Sequence, residues 1–332
     1  MEKTILQLNE MLGDIEAISD DQFQEVMKFE VEPFLDSIRK TGFFSRESNK
    51  NLYYEEYLSL EATQNIVICH GFAENTEKYK EMIYYFYREN CNVFIMDHQG
   101  HGNSFRMVED YSVTHVELFD DYVEDLKAFM SKKVKPDSQQ LPIILYTHSM
   151  GGAIGGSYLE KYPNDFSKAI FSSPMFEINT GNMPLWVTKL IADFNVMIGH
   201  KKDHIYVQEK FNPKERLEDS CSSSNVRYSY YFQKRLNNEH YQNNCGTYSW
   251  LKQSILATKE LLKIEKLQKI NIPIIIFQAE NDSLVKANSQ NLFAQGVKDA
   301  QIVFVPISQH EIYMARSKII TPFLNKLFEF IR

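Results

Sequence analysis

From residue 51 onward, short apolar runs alternate with amphipathic helical stretches, and no other feature of the chain constrains its fold so strongly. Asn51–Leu58 and Asn65–Cys69 read as strands, Glu77–Glu89 as a helix and Asn92–Met96 as a strand. Val116–Met130 follows as a helix, with Val116, Phe119, Tyr122, Val123, Leu126 and Phe129 on one face. Pro142–Tyr146 and Lys168–Phe171 are strands on either side of a helix at Gly151–Lys161. The rhythm stops at Pro174. It resumes with a strand at Ile272–Gln278, a helix near Lys286–Val297, a strand at Gln301–Val305 and a last helix from about Ile312 to Ile331.

Such alternation predicts an α/β fold: a mostly parallel central sheet with helices on both faces. The 332 residues suit one large domain with an insertion. Residues 45–173 and 268–332 form the expected core, and residues 174–267, rich in Asn, Ser and Tyr, an inserted helical cap or lid. Residues 1–44 read as a leader of short amphipathic helices. In it Ser19-Asp20-Asp21-Gln22 fits a capping box, Pro33 suits a first helical turn and Gly42 a helix stop.

Charge narrows the partners. The net charge is −8, and residues 1–36 supply all of it, with ten acidic and two basic residues. No basic stripe could track a phosphate backbone, so nucleic acid is not expected. The acidic leader reads as a solvated helical face. No apolar run approaches the roughly 18 residues of a membrane span, and the amino terminus has no signal-peptide pattern. Cys69, Cys91, Cys221 and Cys245 are scattered without a CxxC pair, which speaks against zinc or a disulfide framework. The expected compartment is the cytoplasm.

In an open parallel sheet, active-site residues sit on the loops after the strands. After Pro142–Tyr146 comes Thr147-His148-Ser149-Met150-Gly151-Gly152, a serine at a strand-to-helix turn followed by small residues. This fits a nucleophile elbow, with Thr147 where the Gly-x-Ser-x-Gly pattern has its first glycine. After Cys69 comes His70-Gly71-Phe72-Ala73-Glu74. Its Phe72 amide, with that of Met150, could form an oxyanion hole. Asp282 and His310 each follow a later strand, so Ser149, Asp282 and His310 keep the order of a Ser…Asp…His triad. Glu280 lies in the same loop as Asp282 and is the second choice for the acid.

These strings resemble the monoglyceride lipase and bacterial lysophospholipase group of α/β-hydrolases, the serine aminopeptidase-like hydrolase domain. The resemblance also rests on Tyr79, on Asp97-His98-Gln99-Gly100-His101-Gly102-Asn103-Ser104, and on Asp282 with Val285. It covers roughly residues 45–332. It implies Ser149 as nucleophile, His310 as general base and then acid, and Asp282 as the residue that orients His310. His98, His101 and His148 are implied as scaffolding, and no metal or cofactor is implied. The expected function is hydrolysis of a single-chain lipid ester, a lysophospholipid or monoacylglycerol. A broad carboxylesterase, a peptidase and a non-catalytic binding protein are the alternatives.

Specificity is assigned to the cap. Pro184–Ile198 carries a broad apolar face in which Trp186 and Phe194 are candidate substrate contacts or a membrane-surface contact, making the protein peripheral to the membrane. Tyr228, Tyr230, Tyr231, Tyr241 and Tyr248 could present hydroxyls to a headgroup. Glu177, Asp193, Asp203 and Glu209 could hold the α-amine of a peptide substrate.

Overall fold

The computed structural model describes residues 5–7 and 15–332. Nine strands form one sheet among the described residues: β1 (Ile5–Gln7), β2 (Arg39–Ser45), β3 (Asn51–Tyr57), β4 (Gln64–Cys69), β5 (Cys91–Met96), β6 (Ile143–His148), β7 (Lys168–Ser172), β8 (Ile274–Ala279) and β9 (Ala300–Val305). Their order across the sheet is β1-β9-β8-β7-β6-β4-β5-β3-β2. Only β3 runs antiparallel to its neighbours β2 and β5; the other pairings are parallel. The central strands are covered on both faces, which is why Ile66-Val67-Ile68 and Ile274-Ile275-Ile276 read as unbroken apolar runs.

The longer helices are α1 (consecutive segments Phe23–Val26, Met27–Val31 and Glu32–Ile38), α2 (Lys80–Arg88), α3 (Asp120–Phe129), α4 (Met150–Lys161), α5 (Leu185–Met197), α6 (Asn225–Asn237), α7 (Tyr248–Leu261), α8 (Ala287–Gly296) and α9 (Ser317–Ile331). The sheet separates two apolar cores. One is filled from α3, α4, α7 and α8, the other from α1, α2 and α9. Although α7 falls inside the block read as a cap, its Trp250, Leu251, Ile255 and Leu261 join the core beside α4. A two-residue parallel pairing of Val113–Thr114 with Cys245–Gly246 also ties this block to the loop after β5.

The leader departs most from expectation. It is not a solvated face, since Phe23, Met27, Val31 and Leu35 are buried in the second core. A stripe at every fourth residue would drift around a 3.6-residue helix; the wider π-turn at Met27–Val31 takes up that drift. Ile5–Gln7 pairs in parallel with Ile302–Phe304, and Arg39–Ser45 forms an edge strand, so this region is helix and strand together. Gly42 is no helix stop. It lies inside β2, where a Cβ would come within 3.0 Å of the Tyr54 ring. Part of the leader reading, residues 1–4 and 8–14, lies outside the described residues. The last helix also begins later than expected, at Ser317, because a short turn at Ile312–Met314 intervenes.

Candidate active site

Ser149 sits between β6 and α4 with φ 50° and ψ −118°, a conformation that non-glycine residues rarely adopt. The strain is held by close packing underneath. A Cβ at Gly151 would lie 2.0 Å from the Cys69 carbonyl oxygen, so only glycine lets α4 start so near β4. Thr147 is accommodated by an exchange of bulk. Its hydroxyl donates to the Ile170 carbonyl at 3.2 Å, and its γ-methyl fills the space beside Gly155, where a Cβ would be 2.7 Å away.

His310 and Asp282 meet on the loops after β9 and β8, with Nδ1 and Oδ2 at 2.7 Å. Asp282 also accepts the amides of Leu284 and Val285. Burial raises the Asp282 carboxyl, but His310 and these two amides outweigh it and hold the group below its ordinary value. Glu280 turns away and accepts the Ile307 amide at 2.7 Å. The His310 ring lies 4.9 Å from that of His148, the residue before Ser149. Ser149 and His310 share no hydrogen bond among the described residues.

The His-Gly loop after β4 closes the third side. A Cβ on Gly71 would stand 3.1 Å from Ser149 Cβ, which shows how near the turn approaches the elbow. The Phe72 amide donates to no group among the described residues. That of Met150 opens α4, where first-turn amides have no partner within the helix.

Beneath both loops lies Glu74. It accepts from the Gly71 amide at 2.6 Å and from the hydroxyls of Tyr79 and Tyr313 at 2.6 Å each, and it lies 3.2 Å from His148 Nδ1. Burial would raise this carboxyl, yet His148, Lys78 and the hydroxyls hold it well below the usual carboxylate range. The same pairing raises His148 against its own burial. In the sequence Glu74 is only one letter of the His-Gly string; its role as the tie between these loops is a tertiary fact.

His70, His98 and His101 are fully buried, and burial lowers all three, His70 to about 4. They are neutral loop ties: His70 Nε2 accepts the His98 amide at 3.0 Å. No cluster that could hold a metal is present among the described residues. The Asp97–Ser104 string has a physical basis as well. The Asp97 carboxylate accepts the amides of Thr76 and Asn103, and a Cβ at Gly102 would collide with it.

In the insertion, Trp186 and Phe194 are 67% and 56% exposed. The tyrosines mostly serve packing: Tyr228 stacks on Phe232, Tyr230 meets Phe23, and Tyr231 accepts from Asn75. Asp193 is paired with Lys189 and Lys252, and Asp203 with His200. Trp250 is the residue that sequence reasoning missed. Its ring lies 4.3 Å from that of Phe72, and its Nε1–H donates to Met150 Sδ at 3.4 Å. No local motif marks it, because its partners stand in two other loops.

Strand order, the serine at the strand-to-helix turn and the Asp–His pair together place the chain in the α/β-hydrolase class. Within that class, residues 61–316 match the family model described as serine aminopeptidase, S33, and the chain belongs to this family. Among curated proteins it is 25% identical to a probable lysophospholipase L2 of Haemophilus influenzae, over 95% of this chain and 98% of that one. It is 26% identical to lysophospholipase L2 of Escherichia coli K12, over 80% and 79%. Among solved structures, a soluble variant of monoglyceride lipase from Saccharomyces cerevisiae superimposes with a TM-score of 0.72 at 17% identity, covering 89% and 95%.

Proposed function

We propose that this protein is a serine ester hydrolase that releases the acyl chain of a single-chain lipid, a lysophospholipid or monoacylglycerol. The observation that carries this reading is the near full-length similarity to a probable lysophospholipase L2, joined to an intact Asp282–His310 pair. His310 takes the proton from Ser149 Oγ as it attacks the ester carbonyl. The amides of Phe72 and Met150 stabilise the charge on the tetrahedral intermediate. His310 then protonates the leaving alcohol and activates the water that hydrolyses the acyl-enzyme. Asp282 fixes the tautomer and orientation of His310. The broad apolar side of α5, with Trp186 and Phe194, is proposed to touch the acyl chain or the lipid surface that presents it. Of the carboxylates considered for a peptide α-amine, Asp193 is paired with Lys189 and Lys252 and Asp203 with His200.

The test is turnover of lysophosphatidylcholine and monoacylglycerol by wild type and Ser149→Ala. Loss of the nucleophile should cost on the order of 10⁴–10⁶ in rate. Cleavage of a short soluble ester but of neither lipid would leave the triad and overturn the lipid assignment. Equal rates for wild type and variant would overturn the catalytic reading.

A further inference from the structure

We propose that Trp250 is a positioning residue for the oxyanion site, a clamp from the insertion that sets the spacing of its two donors. The inference rests on the reading of Phe72 and Met150 given above. Those residues follow different strands, β4 and β6, and their amides must both point at one oxygen. An oxyanion hole works at donor distances of about 2.7–3.1 Å, and a misplacement of about 1 Å costs on the order of 100-fold. Something must therefore fix the two loops against each other. Glu74 does so from below, through Gly71 and His148. Trp250 touches the donor residues themselves, its ring on Phe72 and its N–H on Met150.

The indole is itself held firmly. It is 4% exposed, in the first turn of α7. The Thr247 side chain accepts the Trp250 amide at 3.2 Å, and Thr247 Oγ1 also meets His115 Nδ1 at 3.0 Å. Gly246 leaves the space the ring needs, since a Cβ there would stand 2.6 Å from Trp250 Cε3. Phe72 also meets His101 edge-on, at 5.9 Å and 85°. The Phe72 ring thus contacts both a buried imidazole and the indole. Through this chain of contacts the inserted block takes part in the geometry of the reacting centre.

The experiment compares wild type, Trp250→Phe and Gly246→Ala on a p-nitrophenyl ester, together with binding of a trifluoromethyl ketone that forms a tetrahedral adduct on serine. Trp250→Phe keeps a ring on Phe72 but loses the bond to Met150. Gly246→Ala displaces the indole without touching either donor residue. Both are expected to lower kcat about 10-fold with little change in KM, and to weaken the ketone by the same factor. A folded Trp250→Phe enzyme with unchanged kcat, or with reduced kcat and undiminished ketone affinity, would overturn the proposal. The two readings fail separately. Serine-independent turnover in wild type would sink the catalytic reading, whereas Ser149-dependent turnover indifferent to Trp250 would sink this one alone.

Discussion

The helices α5 and α6 are each thirteen residues long and lie in the same stretch between β7 and β8, yet they are used in opposite ways. Leu185–Met197 is strongly apolar and buries only Ala192. Its Trp186, Leu190, Phe194 and Met197 are all more than half exposed. Asn225–Asn237 is polar and buries Arg227, Tyr231, Phe232 and Arg235. Burial in this block follows partners, not hydropathy. The partner of α6 is largely the leader: Arg227 reaches Asp20, the Ile18 carbonyl and Glu81, while Lys234 binds Glu32 and Glu77. Phe23 lies under the Arg227 guanidinium, 4.4 Å from it. The polar helix is built into the body of the protein, and the apolar one keeps most of its large side chains at the surface.

Removing the partner should abolish the contrast most completely. Deletion of residues 1–38 takes Phe23, Met27, Val31 and Leu35 from the core, at about 1.5–3 kcal/mol each, against a typical total stability of roughly 5–15 kcal/mol. We expect no cooperative unfolding transition by calorimetry. A truncated protein that melts like wild type would show the leader to be dispensable after all.

A narrower cut is Arg227→Ala, which leaves the buried carboxylate of Glu81 without its cation. Breaking such a pair typically costs about 3–5 kcal/mol, measurable by urea denaturation. A change below 1 kcal/mol would mean that α6 is held by packing alone.

The smallest expected effect on stability lies in α5. Replacing Trp186, Leu190 and Phe194 by serine, singly, should each shift stability by no more than about 0.5 kcal/mol. The triple variant should nevertheless lose about tenfold in turnover of dispersed lysophospholipid, while a soluble short ester is cleaved as before. Equal loss on both substrates would contradict a role in meeting lipid.

The same contrast explains what could be read from the chain. Strands β4 to β9 were legible as apolar runs because most of their residues are buried, and the Asp282–His310 pair because each of its residues stands just after one of them. Charge misplaced the leader: its ten acidic residues read as a solvated face, while the apolar stripe at every fourth residue is buried across a π-turn. Arg227 was illegible for a related reason: its value depends on Asp20 and Glu81, 207 and 146 positions away. Trp250 meets Met150 across 100 positions, and nothing beside it in the chain announces the contact. Thr147 departs from the elbow pattern in sequence, but not in shape.

That last exchange has a bearing on engineering. Thr147 and Gly155 behave as one unit of volume divided between a strand and the helix that follows it. Writing glycine at 147 to match the elbow pattern would open a hole beneath Ser149. Alanine at 155, otherwise an attractive helix-stabilising change, would drive the γ-methyl into the elbow. Either position tolerates change only if the other moves with it, so a library that varies them one at a time would discard both.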